Sequence, residues 1–225
     1  GDTPVALFGQ DRLIGNVGND TLNGDGGADV LIGGAGDDTI NVADANFFRI
    51  DGGAGIDTLT LTADMSVDMN ARLTNDVESI EIINLGTGTQ TLTLSELDVL
   101  NMTKGTNTAV DNVNYQLGNV LVVEGSVGTD TLNLNGAQWL DTGATTTVNG
   151  GSTAYAIYQA SGKNIFVVTA LTPVIVALAA VADNSTASAD VLYGASSSDT
   201  FAASDGNDSI YAGAGDDDIS GGAGN

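Results

Sequence analysis

Near the N-terminus, aspartates recur every nine residues, at Asp11, Asp20, Asp29 and Asp38. Two residues after each stands an apolar side chain: Leu13, Leu22, Leu31 and Ile40. Two residues before each stands a glycine: Gly9, Gly18, Gly27 and Gly36. The period returns near the C-terminus at Asp190, Asp199, Asp208 and Asp217, followed by Leu192, Phe201, Ile210 and Ile219. Glycine precedes only the last two, as Gly206 and Gly215, while Ser188 and Ser197 fill the earlier slots. Isolated Asp-Gly turns are expected in an acidic chain, but eight in-phase copies with apolar partners mark a repeat architecture.

The spacing has a physical reading. Six glycine-rich residues make a turn, since repeated positive φ is cheap only for glycine. The other three form a short strand whose central side chain points inward. Two such units complete one coil of a flattened roll. Residues 18 apart, such as Asp20 and Asp38, then stack in adjacent coils about 4.8 Å apart, the strand spacing. Asp11 stacks on Asp29 at the other edge in the same way.

Stacked carboxylates about 5 Å apart repel by roughly 1 kcal/mol in water, and by a few kcal/mol at an effective dielectric near 20. A divalent cation between them reverses the sign. The chain has no His and no Cys, so its ligands are hard oxygens from carboxylates and backbone carbonyls. These suit Ca²⁺, which tolerates irregular coordination better than Mg²⁺, and they do not suit zinc. The expected metal residues at the N-terminal end are Asp11, Gly15, Gly18, Asp20, Gly24, Gly27, Asp29, Gly33, Gly36, Asp38 and Asp57. At the C-terminal end they are Asp190, Asp199, Gly206, Asp208, Gly213, Gly215 and Asp217. Several Ca²⁺ ions per chain are expected.

Charge points the same way. Twenty-nine acidic residues face five basic ones, Arg12, Arg49, Arg72, Lys104 and Lys163, for a formal charge of −24. That balance argues against nucleic acid, whose phosphates need Lys and Arg, and against anionic lipid surfaces. It favours cations, because so acidic a chain repels itself unless counterions neutralise it. A hydrophobic fraction of 42% still permits a core. Without cysteine, bound metal is the usual substitute for disulfides in fixing exported loops.

Two copies are clearest: Gly15-Asn16-Val17-Gly18-Asn19-Asp20-Thr21-Leu22-Asn23 and Gly33-Gly34-Ala35-Gly36-Asp37-Asp38-Thr39-Ile40-Asn41. They match the nonapeptide G-G-x-G-x-D-x-U-x of parallel β-rolls. The chain thereby resembles the RTX (repeats-in-toxin) family over about 90 of its residues. The resemblance implies that the sixth-position Asp and turn carbonyls of neighbouring coils hold each Ca²⁺. It implies too that the turns stay largely unfolded until calcium arrives, in keeping with the entropy lost when glycine-rich loops order. RTX proteins are generally exported by Gram-negative bacteria through a type I system, so the resemblance implies an extracellular or cell-surface location.

Residues 42–188 break the period. Gly52-Gly53-Ala54-Gly55-Ile56-Asp57-Thr58-Leu59 places its aspartate 19 residues after Asp38 instead of 18. Beyond it, short alternating runs predict strands: Leu59-Thr60-Leu61, Ile80-Glu81-Ile82, Thr91-Leu92-Thr93-Leu94, Leu121-Val122-Val123 and Thr131-Leu132-Asn133-Leu134. The last follows a half-turn like those of the repeat, Gly125-Ser126-Val127-Gly128-Thr129-Asp130. Many short strands joined by Gly/Asn/Asp turns read as a β-sandwich or an irregular β-solenoid. Ser95-Glu96-Leu97-Asp98 predicts a capped helical turn with Leu97 and Leu100 on one face. Tyr155-Ala156-Ile157-Tyr158 and Ile165-Phe166-Val167-Val168 predict a hairpin. This run also resembles modules interleaved with RTX repeats in large bacterial surface proteins, which share a GGAGxD-TLxL opening, an I-E-x-I strand and an LTLS-x-x-DVL turn.

The fold expected is all-β, with parallel β-roll segments at both ends flanking the sandwich or solenoid module. Its divisions are an N-terminal roll at 1–60, a β-rich module at 61–170, a connector at 171–188 and a C-terminal roll at 189–225. The uncharged stretch 165–182 is interrupted by Pro173 and two threonines and sits at the lower length limit for a spanning helix, so it reads as strand, turn and connector, not a membrane span. The run ending at Asn225 stops where a sixth-position Asp should follow, so the chain is expected to be part of a longer protein.

Lack of His and Cys excludes Ser-His-Asp, Cys-His and His-ligated zinc chemistry. A carboxylate pair would have to come from Glu78, Glu81, Glu96 and Glu124; the separation of three between Glu78 and Glu81 predicts opposite faces of a strand. Trp139 with Tyr155 and Tyr158 is expected to pack in the β-core, the alternative being a carbohydrate platform. The expected role is therefore non-catalytic: a calcium-stiffened repeating unit of a bacterial adhesin, filament or surface layer (S-layer). The alternatives are the calcium-dependent folding and secretion tail of an exported toxin or enzyme, or a carbohydrate-binding module on RTX spacers. Expected partners are calcium ions, like subunits for self-association, and a glycan or cell-surface ligand.

Overall fold

The computed structural model describes residues 1–4, 9–71, 76–104, 106–116, 118–126, 129–135, 139–160, 163–171 and 173–175, and the strands 191–193, 200–202, 209–211 and 218–220. Its first strands are β1 (Arg12–Val17), β2 (Thr21–Asn23), β3 (Val30–Ala35), β4 (Thr39–Val42), β5 (Arg49–Ala54) and β6 (Thr58–Leu61). Then come β7 (Ser66–Asp68), β8 (Val77–Glu78), β9 (Ile82–Asn84), β10 (Thr91–Ser95) and the helix α1 (Glu96–Met102). β11 (Asn119–Glu124), β12 (Thr131–Asn135), β13 (Trp139–Thr146), β14 (Tyr155–Ala160), β15 (Ile165–Thr169) and β16 (Val174–Ile175) follow. The C-terminal strands are β17 (Val191–Tyr193), β18 (Thr200–Ala202), β19 (Ser209–Tyr211) and β20 (Asp218–Ser220).

The nonapeptides form the predicted roll. β1 pairs with β3 and β2 with β4, both parallel, with Leu13 opposite Leu31 and Leu22 opposite Ile40. One coil is therefore two nonapeptides, and the apolar position of each is buried. The next coil steps by one residue more, with Leu31 opposite Ile50 and Ile40 opposite Leu59. The extra residue is absorbed just before β5, where Phe48 N–H and Arg49 N–H both donate to the Asp29 carbonyl, at 2.8 and 3.0 Å. This bulge holds the ladder in phase. Phe47 turns into the core and Phe48 faces outward.

The largest sheet runs β13-β14-β15-β11-β9-β6-β4-β2. It is parallel from β2 to β15 and antiparallel only through β15–β14–β13, which confirms the predicted hairpin with Tyr158 opposite Val167. Two four-stranded sheets run β1-β3-β5-β8 and β16-β12-β10-β7. Consecutive strands β5, β6 and β7, then β8, β9 and β10, each take a different sheet. Of the two architectures predicted for the middle segment, the parallel pairing gives the β-solenoid: two-sided over β1–β4, three-sided over β5–β10, and continued at β11 and β12 by the sheets of β6 and β7 alone. Residue 60, where the roll was expected to end, lies inside β6, and the sheet is paired on both sides of it.

Inward rows stack from coil to coil, as in Leu22, Ile40, Leu59, Ile83 and Val123, all buried. At β11 and β15 the outer face is covered too. Val120, Val122, Phe166 and Val168 pack with Ala109, Val110, Val148 and Ile157, and Tyr115 meets Phe166 edge-on at 5.4 Å. A sheet buried on both faces explains the uninterrupted apolar runs there.

Two local expectations need correction. Ile80 and Glu81 lie in the turn between β8 and β9, and only Ile82 of that run is strand. Helix α1 forms with Ser95 and Asp98 making a reciprocal capping box, but its buried side chains are Val99 and Met102; Leu97 and Leu100 are exposed. The Ile80 N–H donates to the Met102 carbonyl at 3.0 Å, so the helix end is anchored through its Val99/Met102 side. Among the described residues no helix is long and apolar enough to cross a membrane. Near the C-terminus β17 pairs with β19 and β18 with β20, parallel, with Val191 opposite Ser209 and Thr200 opposite Asp218, the same 18-residue step.

Candidate metal centre

Asp20, Asp38 and Asp57 each immediately precede a strand of the large sheet, and parallel pairing lines them up at one edge. Each is buried. The Asp20 N–H donates to Asp38 Oδ1 at 2.8 Å, and the Asp38 N–H to Asp57 Oδ1 at 2.8 Å. The Asp2 N–H donates to Asp20 Oδ1, and the Asp57 N–H to Glu81 Oε2 at 3.0 Å. The carboxylates therefore do more than stack. One oxygen of each caps a backbone N–H in the preceding coil.

The second oxygen is the chemically important one. Oδ2 of Asp20, Asp38 and Asp57 is buried without a hydrogen-bond partner, an arrangement that is costly for a carboxylate. A glycine lies beside each. Asp20 Oδ2 and the Gly33 carbonyl oxygen are both 2.5 Å from where a Gly15 Cβ would stand. Gly33 repeats this with Asp38 Oδ2 and, at 2.5 Å, the Gly52 carbonyl oxygen. An ionised oxygen and a carbonyl oxygen thus converge beside a residue that has no side chain to fill the space. Among the described residues no three carboxylates gather at one point, so backbone carbonyls must supply the remaining ligands. This all-oxygen, irregular donor set fits Ca²⁺.

The electrostatics agree. Burial pushes Asp57 up to about 7, and the charges of Glu81, Asp38 and Asp37 act in the same direction. Burial likewise raises Asp38, with Asp20 and Asp37 adding to it. Glu81 is raised by burial, against the N–H groups of Asp57 and Lys104. Without a cation these side chains hold their protons more tightly than exposed carboxylates do.

The opposite edge is shorter. The Asp11 N–H donates to Asp29 Oδ1 at 2.9 Å, and Asp29 is buried. The column then stops, because the bulge leaves Phe48 next to Asp29 in the following coil. Gly18, Gly27 and Gly36 hold φ of 114°, 135° and 128°, the turn conformation their positions demand. Gly24 is buried, its Cβ side against Leu31. Asp190, Asp199, Gly206, Asp208, Gly213, Gly215 and Asp217 lie outside the described residues.

Sequence reasoning missed Ser79 and Glu81 as members of the column, because no nine-residue period reaches them. Asp130 does carry the repeat-like signal, yet its oxygens are occupied: Oδ1 accepts from Gln90 N–H at 3.0 Å and Oδ2 from Ser126 N–H at 2.6 Å. Of the other glutamates, Glu78 pairs with Lys104 at 3.1 Å and Arg49 at 3.7 Å, and Glu96 with Lys163 at 3.3 Å. Glu124 accepts from Tyr155 Oη at 3.4 Å. Trp139 is 1% exposed and donates Nε1–H to the Asn135 carbonyl at 3.1 Å. It is a core residue, as the packing reading held, and offers no face to a sugar.

The family model for the RTX calcium-binding nonapeptide repeat (4 copies) matches residues 6–40 and 193–225. No curated protein and no solved structure matches the chain.

Proposed function

This chain belongs, through its two terminal segments, to the RTX calcium-binding nonapeptide-repeat family, and on that premise we propose that it is a calcium-stiffened, non-catalytic structural unit of a bacterial adhesin, filament or surface layer. RTX nonapeptide repeats bind Ca²⁺, several ions per chain, and are typical of exported proteins. Asp20 and Asp38, with the carbonyls of Gly33 and Gly52, are the residues assigned to hold ions at the N-terminal end. There the ion supplies positive charge to carboxylates that the fold has already desolvated. The residues themselves order the turn, keep an oxygen free and hold adjacent coils in register.

The observation that carries this reading is the row of unpartnered Oδ2 atoms on a sheet that continues unbroken into the module. Calcium at that edge stiffens one continuous scaffold. The absence of His and Cys from the sequence supports a non-catalytic role. The test is a Ca²⁺ titration followed by circular dichroism and thermal melting. β-structure and melting temperature are expected to rise with Ca²⁺ and to respond little to Mg²⁺; an identical melt in chelator refutes the calcium assignment. Tandem copies of this unit in the flanking sequence support the scaffold role, and an upstream catalytic domain overturns it.

A further inference from the structure

We infer that this solenoid carries its own substitute for calcium: the buried Gln90 carboxamide closes the turn of the β16-β12-β10-β7 sheet, so that this sheet is ordered without the ion that the nonapeptide edge requires. The contrast rests on the calcium reading above and goes beyond it, by giving the chain a part that needs no ion. Gly86-Thr87-Gly88-Thr89-Gln90-Thr91-Leu92-Thr93 follows the repeat from its second glycine onward in every position but one, with Gln90 standing where the aspartate belongs.

The backbone here is arranged as at the calcium edge. Gln90 immediately precedes β10, as Asp38 precedes β4. Its N–H donates to Asp130 Oδ1 at 3.0 Å, as the Asp20 N–H donates to Asp38 Oδ1. The side chain differs. Gln90 is 0% exposed, and its Nε2 donates to the Ala63 carbonyl at 3.1 Å and to the Thr87 carbonyl at 3.3 Å. Ala63 lies between β6 and β7, and Thr87 between β9 and β10, so one amide group joins two successive coils. The opposite amide orientation would set Oε1 against both carbonyls, so the partners fix which end donates. Two carbonyls facing one point, the arrangement that elsewhere calls for a cation, are held by N–H donors instead.

The two edges also differ in charge. Asp20, Asp38, Asp57 and Glu81 follow one another along the nonapeptide edge. Before β7, β10 and β12 the matching positions hold Met65, Gln90 and Asp130. That is a single carboxylate, and both of its oxygens accept N–H groups, Oδ2 that of Ser126 at 2.6 Å. Among the described residues of this edge, the oxygen buried without a partner is Gln90 Oε1, a neutral atom whose burial costs less than that of a carboxylate. Leu92, Leu94, Leu132 and Leu134 of this sheet share the main core with Ile83 and Val123 of the large sheet. Without calcium the chain therefore keeps a closed segment of solenoid. The acidic coils add to it when the ion arrives, since each coil of a solenoid needs only its neighbour.

Hydrogen exchange of the full chain, in chelator and in saturating Ca²⁺, reads both edges at once. Amides of β10 and β12 are expected to be protected in chelator and to change by less than about twofold on adding Ca²⁺, while those of β4 slow by about tenfold or more. Gln90→Glu keeps the length of the side chain and loses both donors. It is expected to speed exchange in β10 by about tenfold in chelator, and Ca²⁺ to restore protection, a carboxylate now standing where the repeat has one. Gln90→Met, neutral and of similar length, is expected to show the same rise in chelator with no recovery. A wild-type β10 as unprotected as β4 in chelator, or variants that exchange there as the wild type does, overturns the inference. A β4 that ignores Ca²⁺ overturns the calcium reading instead, and exchange of the variants in chelator still decides the role of Gln90.

Discussion

Asp38 accepts the backbone N–H of Asp20 through Oδ1 at 2.8 Å while its Oδ2 stays buried and unpartnered. The carboxylate thus has a structural half that operates without metal and an electrostatic half that needs one. The two halves separate by mutation. Asp38→Ala removes the acceptor for the Asp20 N–H and is expected to destabilise the chain by about 1–3 kcal/mol in chelator, the cost of an orphaned buried donor. Asp38→Asn keeps that acceptor and removes the charge. It is expected to raise the melting temperature in chelator and to lower it in saturating Ca²⁺, relative to wild type. Melting curves of both variants with and without Ca²⁺ check this crossing of signs.

Acidity should matter in a defined window. Asp57 is raised from 3.8 to about 7 by burial and by its acidic neighbours. Below pH 3.8 folded and unfolded chains both carry this proton, so the group is neutral to stability. As pH rises towards 7 the unfolded chain releases the proton and the folded one retains it, so stability in chelator falls. Above about 7 the loss is complete. The raised values of Asp38 and Glu81 act with the same sign. Urea denaturation in chelator at a series of pH values is expected to show this fall, and Asp57→Asn to show a smaller one. Ca²⁺ affinity should rise across the same window, since the ion displaces the proton.

Glycine at the cradle is required for space. A Cβ on Gly33 would meet Asp38 Oδ2 and the Gly52 carbonyl oxygen, and the latter is backbone that cannot move aside. Gly33→Ala is expected to cost about 1–3 kcal/mol from overpacking and to weaken Ca²⁺ binding. At Gly143, where φ is 71° and a Cβ meets nothing within 4 Å, alanine is expected to cost about 1–2 kcal/mol of left-handed strain alone. Its calcium affinity should be unchanged. Calorimetric titration of the two variants distinguishes them.

Trp139 marks the far end of the sheet from the nonapeptides. Trp139→Ala is expected to lose about 3–5 kcal/mol, the usual cost of removing a buried aromatic ring. Melting in chelator and in Ca²⁺ should show the loss in both conditions, because Trp139 reaches no oxygen of the carboxylate column.

The sequence by itself determined the roll, its calcium chemistry and the aspartates of the N-terminal column. Each coil there is two adjacent nonapeptides, so the spacing that places Asp20 over Asp38 is written in consecutive residues. The short strands at Thr91–Ser95 and Thr131–Asn135, the capped start of α1 and the hairpin at 155–168 were legible for the same reason, as each is set by neighbours in the chain. Only the tertiary structure decided that the middle segment continues the same solenoid and gains a third sheet over β5–β10, that Val99 and not Leu97 faces the core, and that Trp139 is enclosed. It also decided how the column ends. Asp57 meets Glu81 across 24 residues and Gln90 meets Asp130 across 40, separations with no period to read. Ser79 joins Gly52 because parallel pairing places it there, and the free oxygen of Asp57 became visible only once every nearby donor had been assigned.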